Sequence, residues 1–274
     1  MIPINDPMTW RSLLPWPGLE AHKHARGRLG VVSGGALSTG AARLAARAGL
    51  RIGAGLVKVF CPPDAAPVLA PALEAVMLVS FSTGEQLATL AQPMDAVVIG
   101  PAAGLTEATA ANVAALARTG AALVIDADAL TLFRDRPDDL FACLDCNAVL
   151  TPHEGEFERL FPGLLAKGRE TAAVEAAERA GAVVVLKGSA TVIAGPDGRC
   201  VVNGNGSSWL ATAGSGDVLA GMIGGLSAQH MGSFDAACAA VWMHADAAHR
   251  FGPGLIAEDL PDLIPAVLAD LYPG

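Results

Sequence analysis

Short unbroken apolar runs alternate along this chain with longer stretches whose apolar and small residues recur at helical spacing. The runs Leu29–Ser33, Leu56–Phe60, Ala96–Ile99, Ala122–Ile125, Ala148–Leu150 and Val183–Lys187 are predicted strands. Several are apolar on consecutive positions, the pattern of a strand covered on both faces. The stretches between them predict helices over Gly40–Leu50, Glu107–Arg118, Glu154–Leu160, Glu170–Ala180, Gly216–Gln229, Phe234–Arg250 and Glu258–Leu271. Such alternation implies an α/β fold: a central, mainly parallel sheet with helices on both faces. After Lys187 the rhythm changes. Thr191–Ala194, the turn Gly195-Pro196-Asp197-Gly198 and Cys200–Val202 read as a short β-hairpin. No linker and no internal repeat interrupts the pattern, so a single domain over 1–274 is the simplest organisation.

Composition narrows the function classes. Hydrophobic residues make up 52% of the chain but aromatics only 5%, so alanine carries much of the apolar content. The charge-free stretches Cys200–Gly216 and Val218–Phe234 contain Gly, Ser, Asn, Gln or His. Neither is the continuous run of about 20 apolar residues that spans a bilayer. The segment Met1–Gly18 lacks the basic start and apolar stretch of a signal peptide, which predicts a cytoplasmic protein without membrane partners. A net charge of −9 with no basic block argues against nucleic-acid binding. It leaves room for a small anion held by backbone N–H groups. Of the five cysteines only Cys143 and Cys146 form a C-x-x-C pair, and no further ligands complete a zinc site.

Candidate chemistry gathers where predicted strands end. Thr212-Ala213-Gly214-Ser215-Gly216-Asp217 opens a helix. Small residues let the backbone approach a ligand, and a helix start offers free N–H groups and a positive dipole end. Gly214, Ser215 and Gly216 thus form a candidate phosphate cradle, with Asp217 at its mouth as a candidate general base. The alternative is a first-turn acid that merely suits the dipole. The segment is neither a Walker A loop nor a dinucleotide fingerprint. Lys187-Gly188-Ser189-Ala190-Thr191 ends a strand with a cation and two hydroxyls, suited to a nucleotide phosphate or ribose, or else a plain turn. Thr151-Pro152-His153-Glu154-Gly155-Glu156 brings a histidine to another strand end, to position a ligand or simply to start a helix. Asp126-Ala127-Asp128 could serve a hydrated cation or a ribose, or cap a helix. Gly100-Pro101-Ala102-Ala103-Gly104 leaves room for a ligand against backbone. In open α/β sheets such strand ends assemble one site.

Together these segments, with Thr39-Gly40-Ala41-Ala42, resemble the ADP/ATP-dependent NAD(P)H-hydrate dehydratases of the ribokinase-like superfamily. The resemblance runs from about His22-Lys23 to about His249, and Gly-Ser-Gly-Asp alone marks only the superfamily. It implies a ribokinase-like fold and ADP-dependent dehydration of (S)-NAD(P)H hydrate to NAD(P)H, with release of AMP and phosphate. It further implies ADP or ATP as co-substrate, Mg2+, and a homo-oligomer of up to tetramer size. Ala41, Gly104 and His153 would line the hydrated-dinucleotide pocket. Lys187, Gly188, Ser189, Ala190, Thr191 and Gly216 would hold the adenine nucleotide, and Asp217 would contact substrate and act as the base. Many relatives carry a preceding epimerase domain, for which the N-terminal stretch here is too short. Departures are Ala102 where relatives usually have glycine, His24 in the usual His-Lys-Gly, and Glu154 for a usual proline. The rival reading is a ribokinase-family ATP-dependent kinase of a small alcohol such as a vitamin precursor. Thr-Pro-His-Glu-Gly-Glu together with Asp-Ala-Asp favours the dehydratase.

Overall fold

The computed structural model describes residues 2–273. Nine strands form one sheet: β1 (Arg28–Val32), β2 (Leu56–Cys61), β3 (Met77–Ser80), β4 (Ala96–Ile99), β5 (Ala122–Ile125), β6 (Val149–Leu150), β7 (Val183–Leu186), β8 (Val192–Ala194) and β9 (Cys200–Val202). Their spatial order is β3-β2-β1-β4-β5-β6-β7-β8-β9. All pairings through β7 are parallel, and β7–β8 and β8–β9 are antiparallel. The expected hairpin is therefore the antiparallel end of a mixed sheet. Beyond it the N-terminal segment adds a last rung: the Asn5 N–H donates to the Val202 carbonyl (2.8 Å) and the Val202 N–H to the Pro3 carbonyl (3.0 Å).

Alternate side chains on each strand enter two separate cores, because successive residues of a strand point to opposite faces. Val31, Val57, Val59 and Val98 join one apolar cluster with the helices Gly40–Arg51, Ser215–Ala228, Ser233–Phe251 and Leu260–Leu271. Val32, Phe60, Val97 and Ile99 join the other with Gly84–Ala91, Glu107–Leu116, Glu154–Leu160 and Arg169–Ala180. Helix starts follow local chemistry. The Thr106 hydroxyl accepts from the Thr109 N–H and the Thr83 hydroxyl from the Gln86 N–H, each satisfying a helix-start donor.

On the first face, small residues bring helices to backbone contact. A Cβ on Gly221 would lie 2.2 Å from the Ala45 carbonyl oxygen, so Ser215–Ala228 and Gly40–Arg51 touch main chain to main chain. The alanine enrichment seen in the sequence thus serves close packing. Among the described residues no helix is long and apolar enough to cross a membrane.

Six predicted strands and seven predicted helices appear with small shifts at their ends. The edge strand β3 and the helix Gly84–Ala91 were not anticipated. Every residue of β3 is partly or fully exposed, so it lacks the apolar run that marks its neighbours.

Candidate active site

The candidate residues fall on consecutive strand ends. Reading across the sheet, Ala41 follows β1, Gly104 follows β4, Asp126 follows β5, His153 follows β6 and Lys187 follows β7. The order reverses between β1 and β4, the kind of switch point where open α/β sheets leave a crevice. The Ser215–Ala228 helix packs against β1, β4 and β5, and its first turn carries Asp217.

Gly214 turns the chain into that helix with φ 89°, a left-handed conformation that favours glycine. A Cβ there would also meet Leu44 at 2.7 Å and Ala257 at 2.9 Å. No side chain caps the helix start, so its first N–H groups remain available to an anion. The Ser215 hydroxyl is not one of the donors facing out, since it donates to the Leu210 carbonyl (2.7 Å) and ties the loop down.

Beneath this turn lies an ion pair. Lys187 Nζ donates to Asp126 Oδ1 at 2.8 Å, and the Asp126 carboxylate is only 2% exposed. Asp126 Oδ1 also accepts from the Ala127 N–H (2.9 Å). Burial pushes the Asp217 carboxyl up to about 6; the nearby Asp126 charge adds to the rise and Lys187 opposes it. A carboxyl of that strength is suited to accept a proton near neutral pH.

Both carboxylates of the acidic Asp126-Ala127-Asp128 segment have partners within the protein. Asp126 is engaged as above, and Asp128 Oδ2 accepts from the Gly104 N–H at 2.8 Å, pinning the loop after β4 to the end of β5. No group of three His, Cys, Asp or Glu among the described residues could hold a metal ion. A Mg2+ ion fits this site as a companion of nucleotide phosphates, which supply most of its oxygens, rather than in a protein cage.

His153 caps the Glu154–Leu160 helix. Its Nδ1 accepts from the Gly155 and Glu156 N–H groups (3.0 and 3.3 Å), while Glu156 accepts from the His153 N–H (2.9 Å). Its side chain stays half exposed, so capping and ligand contact are compatible. The Lys187 N–H donates to the Pro152 carbonyl (2.9 Å), which brings the histidine turn beside the lysine. Gly188, Ser189 and Ala190 are exposed, and the Thr191 hydroxyl closes the turn on the Gly188 carbonyl (3.1 Å).

Two residues escaped the sequence reading. Arg169 Nη2 donates to the Leu186 and Lys187 carbonyls (3.0 and 3.2 Å), and the guanidinium pairs with Glu154. It braces the β7 end from a neighbouring helix start, and nothing in the local sequence marks it. His244, on Ser233–Phe251, is buried and its Nε2 has no partner among the described residues. Burial lowers its pKa to about 4; the Ser215 backbone resists the fall and Lys187 adds to it. A lone polar residue inside an alanine-rich helical stripe was its available signal.

Two cavities have linings that do not include Asp217. One of about 670 Å3 runs along Arg43, Arg47 and Arg51, and one of about 480 Å3 lies at the ends of β1 to β4. The polar groups that converge on Asp217, namely Asp126, Lys187 and His153, lie outside both linings.

The fold is that of the ribokinase-like proteins. Ribokinase of Thermotoga maritima superposes over 89% of this chain and 99% of its own, with TM-score 0.62 at 14% identity. An ADP/ATP-dependent NAD(P)H-hydrate dehydratase of Bacillus subtilis, co-crystallized with ATP and Mg2+, reaches TM-score 0.86 at 29% identity over 99% of both chains. The profile of the NAD(P)H-hydrate dehydratase family matches residues 29–265, and the chain belongs to that family. The ADP-dependent (S)-NAD(P)H-hydrate dehydratase of Xanthomonas campestris is 36% identical over 285 residues, covering 95% of this chain and 94% of the relative. The bifunctional NAD(P)H-hydrate repair enzyme of Salinibacter ruber is 38% identical over 278 residues, 94% of this chain but 51% of the relative. The chain therefore spans about half the length of the bifunctional relatives.

Proposed function

We propose that the domain formed by 1–274 dehydrates the (S) hydrate of NADH or NADPH at the expense of ADP, giving NAD(P)H, AMP and phosphate in the cytoplasm. The observation that carries this reading is Asp217: a carboxyl raised to about 6, at an uncapped helix start, above an ion pair between half-buried Lys187 and buried Asp126.

In this reading Gly214 to Gly216 and Lys187 to Thr191 hold the nucleotide, and Ala41, Gly104 and His153 line the place of the hydrated ring. Their succession along neighbouring strand ends supports the assignment. Hydroxide is a poor leaving group, so the ring alcohol is first phosphorylated. Asp217 takes the alcohol proton as the oxygen attacks the terminal phosphorus of ADP, and AMP departs with the bridging oxygen. The helix-start N–H groups offset the charge spread over the phosphoryl oxygens. Mg2+, when bound with the nucleotide, would neutralise part of that charge. The ring C–O bond then breaks with phosphate leaving, driven by the ring nitrogen lone pair. The adjacent carbon gives up a proton to complete the double bond.

The preference for ADP over ATP is family analogy and is measured rather than read from residues. Assembly into a homo-oligomer of up to tetramer size extends the same analogy, and sedimentation measures it. The deciding assay adds Mg-ADP, or Mg-ATP, to hydrated NADH and follows the return of reduced-nicotinamide absorbance. Recovery supports the proposal. Silence on the hydrate, with ATP consumed in the presence of a small alcohol, would replace it by the kinase reading.

A further inference from the structure

Asp126 takes part in neither capping nor metal binding, yet it is the most deeply buried carboxylate at the strand ends. Its local backbone is unusual. Ala127 adopts φ 50° and ψ −119°, a conformation that L residues rarely hold. The strained turn aims the Ala127 N–H back at Asp126 Oδ1, so the carboxylate is fixed by its own chain as well as by Lys187. A Cβ placed on Gly216 would lie 3.5 Å from Lys187 Nζ and 3.8 Å from Asp126 Oδ2. The ion pair therefore sits directly under the residue before Asp217, with no side chain between.

We propose that Asp126 is a positioning residue: it holds the Lys187 ammonium under the anion-binding turn, so that the turn carrying Asp217 rests on one negative and one positive side chain. The inference rests on the reading of Asp217 as the base. Charged groups face Asp217 from two strand ends, Asp126 after β5 and Lys187 after β7, and they act in opposite senses. His244, behind Ser215 on the Ser233–Phe251 helix, is held neutral and contributes no charge above pH 5. Asp126 raises the proton affinity of Asp217 by repulsion, and Lys187 lowers it by attraction. A bare lysine in that place would leave Asp217 a weak base, and a bare aspartate would leave it protonated near neutrality. The pair keeps it between these limits. Arrival of nucleotide phosphate offers Lys187 a second anionic partner at the same turn, while Asp126 keeps the ammonium from leaving the site.

The two partners make opposite predictions. Asp126→Asn removes the repulsion and leaves Lys187 unopposed, so the acidic limb of the kcat/KM profile for hydrated NADH should move down by about one pH unit. Lys187→Met removes the attraction and should move that limb up by a similar amount. The double variant should return close to the wild-type limb, at a lower rate. A purely structural role would reduce the rate in both variants without displacing the limb in opposite directions. Limbs that stay in place, or shift the same way, would overturn the proposal. Should Asp126→Asn fail to fold, Lys187→Met decides alone: an upward shift supports the proposal, and an unmoved or lowered limb refutes it. Carbon-13 titration of the Asp217 carboxyl in the same variants needs no turnover. It tests the coupling even if hydrated NADH is not the substrate, and thereby separates the two failures.

Discussion

The two faces of the sheet are packed by different means. The face bearing Asp217 is joined by glycine and alanine, with Gly221 set against Ala45 and Gly225 against Gly49 at backbone distance. The opposite face sets a cluster of aromatic side chains among its alanines. Phe161 stacks on Phe141 with ring centroids 5.1 Å apart and tilts against Phe157 at 5.0 Å. Aromatic packing stabilises through area and tolerates small shifts of the rings. Backbone contact contributes less area per residue but leaves almost no freedom of relative position. The helix that carries Asp217 lies on the face where position is fixed most tightly, which suits the proposed preorganised site.

The largest expected effect sharpens the contrast at its centre. Asp217→Asn should fold and bind nucleotide but turn over hydrated NADH about 10²–10⁴-fold more slowly, as single-turnover rates would show. The same variant should gain stability at neutral pH. Burial raises the Asp217 carboxyl from its ordinary 3.8 to about 6, so folding holds its proton more tightly. Its ionisation lowers stability as pH rises from about 4 to about 6. Melting temperatures of wild type and Asp217→Asn should therefore diverge above pH 6 and converge below pH 4.

Next come the two packing modes. Phe161→Ala should cost about 3–5 kcal/mol in denaturant unfolding, with kcat of the folded enzyme nearly unchanged. Gly221→Ala should cost at least about 1–3 kcal/mol, because the added Cβ meets the Ala45 backbone, and should also lower kcat by displacing the helix that carries Asp217. Equal loss of kcat in both variants would erase the distinction between the faces.

A smaller effect concerns acid. Burial lowers His244 from its ordinary 6.5 to about 4, so its contribution is complete above pH 6.5 and lost as pH falls towards 4. His244→Gln should flatten the stability–pH curve in that window. The smallest is Ala127→Gly, which relieves a positive φ at the cost of chain entropy and should stabilise by about 1 kcal/mol.

Much of this was legible from the chain. Val183–Leu186 and Ala96–Ile99 declared themselves because strands buried on both faces need continuous apolar runs. Gly214-Ser215-Gly216-Asp217 stood out as a helix start because small residues let the chain turn and an acid in the first turn suits the helix dipole, and a helix does begin there. Asp126 was seen but its work was not. Its partner Lys187 lies 61 positions away, and no local pattern encodes a pairing made by adjacent strand ends. Arg169 was hidden for the same reason, since its contacts are to main-chain carbonyls that every residue possesses. The half-exposed β3 was missed because an edge strand is not obliged to be apolar.

The rung that Pro3–Asn5 adds beside β9 has a meaning for the life of the chain before it is an enzyme. A free antiparallel margin offers unpaired donors and acceptors to any passing molecule, and identical molecules supply the same margin. By occupying Val202 on both its N–H and its carbonyl, the leading residues act as a selvedge that stops the weave from continuing into a neighbour. Loss of those few residues would leave the chemistry of the far strand ends intact while turning each molecule into a template for the next.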